Sequence, residues 1–137
     1  MDERAAIGSI CRTIWREIES AVDSSMRGVR DGMGREAQNP FTGKVVRLQV
    51  PEGSLRLREV LQRRGVAIDA ELAALLAEFV REAATKSHFG VLVAFDDESD
   101  FEGGPKFKIT TSEGDQVPSY LHEVFFEFKP ANAAGDE

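Results

Sequence analysis

One cysteine, one tryptophan and one tyrosine are all that the 137 residues hold of those three types. A lone thiol, Cys11, excludes an internal disulfide and any zinc site assembled from several cysteines. Long apolar runs are missing as well, since none approaches the roughly 20 residues of a bilayer-crossing helix. The first residues, MDERAAIGSI, begin acidic and carry no apolar core of signal-peptide length. Together these absences give the expectation of a cytoplasmic protein without a membrane partner. Phosphate-cradling patterns are also missing: there is neither GxxxxGK[ST] nor GxGxxG, and no serine sits in a GxSxG elbow.

Positive charge is scarce in the last third. The chain carries −7 overall, but residues 1–88 hold 14 basic and 13 acidic side chains, whereas residues 89–137 hold 3 and 11. No arginine follows Arg81. A C-terminal part at −8 repels phosphates, which excludes nucleic acid as the expected partner and fits a basic protein.

What is present reads as an ordinary globular chain, 42% apolar and 30% charged. Ile7, Ile10, Cys11, Ile14, Ile18, Val22, Met26, Val29 and Met33 recur in steps of three and four, predicting one helix over 4–33 with a single apolar stripe. Thirty helical residues span about 45 Å, longer than the about 30–40 Å breadth of a domain this size. The helix therefore either ends near Gly28 to Gly34 or offers its far end to a partner, a second copy being the candidate. QNPFTGK (38–44) reads as a loop and KVVRLQV as a half-buried strand. Ser54 is placed as the N-cap of a helix reaching Arg64, with Gly65 as its left-handed terminator. Asp69 caps a second helix with a stripe of Leu72, Leu75, Leu76, Phe79, Val80 and Ala83.

HFGVLVAF (88–95) is a nearly unbroken apolar run and reads as a central strand. KFKITT (106–111) alternates and reads as its antiparallel neighbour, SEGD as a turn, and VPSYLHEVFFEF as a short helix capped by Ser119. The resulting order, α-β-α-α-β-β-α, defines an α+β class: a small three-stranded, mostly antiparallel sheet packed by helices. One domain is expected over 1–129, followed by a flexible tail over 130–137.

Few residues promise chemistry. FDDESDFEGGPKF (95–107) packs five carboxylates into seven positions, yet fails as an EF-hand loop in either register. Starting at Asp96 it puts Phe101 at the glycine position and Phe107 at the glutamate position; starting at Asp97 it puts Lys108 there. No metal or other cofactor is expected. HEVFF lacks the second histidine of HExxH, and His88 and His122 are read as structural or exposed. Cys11 lies on the apolar stripe, where a thiol behaves as a small hydrophobe. The helical pair 54–84 puts Asp69 and Glu71 at the start of its second helix, where a DNA reader would meet phosphates, so it reads as an αα-hairpin.

The expected function is therefore non-enzymatic: an acidic domain that binds a basic protein. By composition it matches bacterial immunity or antitoxin-type proteins, which neutralise a toxic partner. Asp96, Asp97, Glu98, Asp100 and Glu102 would supply charge and Phe101 the apolar anchor. The alternative is a self-associating structural or regulatory protein, a homodimer through helix 4–33. A small hydrolase would instead need His88, His122 or Glu123 to converge with the acidic loop.

Overall fold

A computed structural model describes residues 2–34, 36–96, 109–117 and 120–131. Its elements in chain order are α1 (Glu3–Asp31), β1 (Glu36–Gln38), β2 (Val45–Arg47), α2 (Glu52–Arg63), α3 (Ala70–Phe95) and α4 (Leu121–Val124), which runs on into a 3₁₀ turn over Phe125–Phe128. The chain divides into two compact units: residues 1–19 with 82–137, and residues 20–81. Both long helices contribute to each unit.

In the first unit, Ile7, Cys11, Trp15 and Ile18 of α1 are buried together with Leu92 of α3, Val117, Leu121 and Phe125. Trp15 stacks on Phe125 with centroids 4.4 Å apart and planes 5° from parallel. Its indole N–H donates to the Phe125 carbonyl at 2.9 Å, which satisfies the one polar group that burying a tryptophan would otherwise orphan. A turn over 109–117 feeds Ile109 and Val117 into this core. It is closed by a bridge between Thr110 and Gln116 and turns at Gly114, whose φ is +92°. The SEGD turn expected from the sequence thus stands.

In the second unit α1 continues along the same stripe, burying Val22 and Met26 against Ala73 of α3, with Ile68, Leu76, Ala77 and Val80 around them. The helix ends inside the Gly28–Gly34 window: Gly32 adopts φ +72°, and the Arg58 guanidinium of α2 donates to the Arg30 carbonyl at 2.7 Å. α2 crosses α1 at small side chains. A Cβ on Gly28 would lie 2.8 Å from that of Ser54 and 2.4 Å from a Val50 methyl. Gly65 closes α2 as expected, at φ +67°, with Val66 N–H bonded to the Leu61 carbonyl and Gly65 N–H to that of Gln62, the 6→1 and 5→2 pair of a Schellman end. Asp69 caps α3 through a 2.8 Å bond from Leu72 N–H.

The class, mixed helix and strand, stands in this coarse form, but three expectations are corrected. Residues 88–95 are the last two turns of α3, not a central strand; an apolar run packs equally well in a helix that already has momentum from Asp69. Among the described residues the sheet is two-stranded, β1 antiparallel to β2 with Glu36 opposite Arg47, while 106–108 of the expected third strand lie outside them. Ser54 does not cap α2. The helix starts at Glu52 after Pro51, and Ser54 is buried where α2 meets Gly28. The expected cap Ser119 and the tail beyond residue 131 also lie outside the described residues.

Two substitutions test this packing by denaturant unfolding. Trp15→Phe leaves the Phe125 carbonyl unsatisfied and should cost about 1–3 kcal/mol. Gly34→Ala places a methyl 1.8 Å from the Leu48 carbonyl oxygen and should cost about 2 kcal/mol or more, because backbone rather than a side-chain tip must yield.

Candidate functional site

The acidic stretch begins with a residue that is not on the surface. Asp96 directly follows the last residue of α3, its N–H bonded to the Leu92 and Val93 carbonyls, and its side chain is 2% exposed. A carboxylate at a helix C-terminus opposes the helix dipole, and a buried one needs compensation. Both demands fall on His122, the second residue of α4. Its ring Nδ1–H donates to Asp96 Oδ2, and its backbone N–H bonds the same oxygen at 3.3 Å. Phe89 of α3 packs edge-on against the imidazole, centroids 6.0 Å apart.

Asp96, expected among the partner-binding acids, is buried and bonded to His122 inside the first unit. Asp97, Glu98, Asp100, Phe101 and Glu102 lie outside the described residues. His88 does not begin a strand. It sits on α3, where its Nδ1–H donates to the Ala84 carbonyl one turn back at 2.7 Å. Glu123 is exposed beside His122. Of the three residues a hydrolase would have needed near the acidic stretch, His122 alone is shown bonded to it, through Asp96. Cys11 supplies no nucleophile there: it is fully buried, and burial pushes its thiol above the ordinary value, outweighing the opposite pull of Arg12. Among the described residues no three histidine, cysteine or carboxylate side chains cluster as a metal site. No helix of the described residues is long and apolar enough to cross a membrane.

Sequence reasoning missed a second feature of this unit, a cleft of about 310 Å³ between the first turns of α1 and the last helical segment. Ile7, Val124 and Phe128 line it with apolar surface, and Asp2, Glu3, Glu127 and Arg4 line it with charge. The Tyr120 hydroxyl closes one side, donating to Glu3 Oε1 at 2.5 Å, and this bond raises the phenol above its ordinary value. The Phe128 ring carries guanidinium groups of the same chain, Arg4 at 6.0 Å and Arg12 at 5.8 Å from its centroid, a geometry for cation–π attraction. The signal was present in MDER and in VFFEF, but only folding brings segments more than a hundred residues apart to one wall.

No known protein family, curated protein or solved structure matches this chain.

The Asp96–His122 pair is separable by a double-mutant cycle. His122→Ala strands a buried carboxylate and should cost about 3 kcal/mol. Asp96→Ala together with His122→Ala should cost clearly less than the two single losses combined, and strict additivity of the two would show that the groups do not interact.

Proposed function

We propose that the chain is a non-enzymatic binding domain that receives a basic protein partner on its acidic unit, as immunity and antitoxin-type proteins do. The observation that carries this reading is the division of charge between the two units. Residues 1–19 with 82–137 hold 16 acidic and 7 basic side chains, net −9, whereas residues 20–81 hold 8 and 10, net +2. One unit therefore concentrates all the negative excess of the chain. A field of that sign steers a cationic partner and disfavours anionic ones.

With Asp96 buried and bonded to His122, the charge proposed to meet the partner comes from Asp97, Glu98, Asp100 and Glu102, with Phe101 as the apolar member. The alternative is self-association through helix 4–33; against it, Ile7, Cys11, Trp15, Ile18, Val22 and Met26 of its stripe are buried within the two units, while Met33 is half exposed.

The test is capture of partners by the immobilised chain at rising ionic strength, with the captured proteins identified by mass spectrometry. Basic proteins released steeply by salt are expected, and replacing Asp97, Glu98, Asp100 and Glu102 by Asn or Gln should abolish their retention. An unchanged set of captured proteins, eluting at the same salt from the neutralised variant, would end the proposal. Asp96 is left intact in this experiment, since altering it would perturb folding.

A further inference from the structure

The second unit presents an apolar side chain to water on a turn built to hold it. Phe41, at the tip of the β1–β2 hairpin, is 94% exposed, and Val45, Val46 and Leu48 beside it are exposed too. The tip is cross-braced. The Asn39 carboxamide oxygen accepts from the N–H groups of Phe41 at 2.8 Å and Thr42 at 3.2 Å. Asn39 N–H donates to the Lys44 carbonyl, Gly43 N–H to that of Asn39, and the Gln38 side chain to that of Gly43 at 3.1 Å. Gly43 takes the left-handed φ of +69° that closes the loop. An aromatic ring displayed on a preorganised turn loses little further freedom on binding, the economy expected of an anchor. Its immediate charged neighbour is Lys44, which has no ion-pair partner among the described residues; Arg47 is bonded to Glu36 at 3.0 Å.

The first unit holds the complement. Its cleft of about 310 Å³ is lined by the apolar Ile7, Val124 and Phe128 and by three carboxylates, Asp2, Glu3 and Glu127, against one cation, Arg4, whose guanidinium lies over the Phe128 ring. That volume lies at the low end of the roughly 300–1,000 Å³ of ligand pockets, a size for one aromatic side chain. We infer that the chain associates with a second copy of itself head to tail: the hairpin tip of one copy seats Phe41 in the cleft of the next and sets Lys44 against its carboxylates. The net +2 of the donor unit and net −9 of the acceptor unit favour this pairing over donor on donor or acceptor on acceptor. Because the two surfaces differ, the contact is heterologous and continues into chains or closed rings. With a single tip as its core it is a weak, concentration-dependent contact.

Sedimentation velocity of the purified chain from low to high micromolar concentration tests it, with no other protein present, so its outcome is independent of the search for a basic partner. The wild type should show a sedimentation coefficient that rises with concentration and falls back with added salt. Phe41→Ala, an exposed substitution that leaves both cores intact, should weaken association by roughly tenfold or more. Lys44→Glu and Glu127→Lys should each weaken it, and a double variant carrying both changes in one chain should recover association through the swapped charges. An equimolar mixture of Phe41→Ala with Glu127→Lys should stop at dimers, since only one productive contact remains. A wild type that stays monomeric throughout overturns the inference. So does a Phe41→Ala variant that associates like the wild type, particularly if Phe79→Ala, on the exposed face of α3, abolishes association instead.

Discussion

The stacked rings of Trp15 and Phe125 are the contact on which the first unit depends. They join positions 110 residues apart, and they close the core with a four-residue helical segment and the 3₁₀ turn that follows it. A four-residue α4 followed by a 3₁₀ turn has no stability of its own, because nucleating a helix costs more than so few bonds return. It is helical because Leu121 and Phe125 are fully buried against α1. The hydrogen bond from the indole to Phe125 makes that burial inexpensive: a donor on one partner and a backbone acceptor on the other disappear together. The arrangement also delivers His122 to Asp96 and sets Val124, Glu127 and Phe128 along the cleft. Both features that draw functional interest in this unit follow from where one tryptophan holds the end of the chain.

The second unit is organised by proximity of small side chains. Its fully buried apolar side chains include Val22, Met26 and Ala73, a thin core. Closeness replaces bulk: Gly28 admits Ser54 and Val50, Gly34 admits the Leu48 carbonyl, and Arg58 answers the open carbonyls at the end of α1, where a cation also suits the helix dipole. A unit built this way leaves larger apolar side chains outside. Phe79 is 72% exposed and Leu75 more than half so, and α3 carries apolar residues on its outer as well as its inner face. Helices of that kind are usually covered on both sides. The exposed residues thus follow from a core made of small contacts, and they shape what this unit presents to other molecules.

Much of this was legible from residue order, and the failures have physical reasons. The stripe of α1 is visible because steps of three and four continue from Ile7 to Val29. Trp15 belongs to it by the same arithmetic, four residues after Cys11 and three before Ile18. Gly65 and Asp69 announced their roles because capping is local chemistry. The stretch 88–95 misled because a run such as VLVAF has no period, and only the preceding helix decides its state. KVVRLQV alternates like a half-buried strand, yet Val45 and Val46 are both exposed, because a two-stranded ribbon has no second layer to bury either face. Asp96 and His122 are 26 residues apart, and nothing in either local sequence marks the pair. The carboxylate reads as the first member of a charged run, yet it is a buried residue directly after the last turn of α3.

That correction sharpens the electrostatic argument. Asp96 has a fixed partner inside the unit, so its charge is spent internally and contributes little field outside. The external field must then come from side chains without such a partner, and the partition of charge identifies which unit carries them. Even with Asp96 discounted, the first unit retains eight more negative than positive side chains, while the second remains slightly positive. The burial of one acid therefore does not weaken the reading of an acidic binding unit. It separates the carboxylate bonded inside the fold from the unit's other acids, so that a substitution at Asp96 reports on structure before it reports on charge.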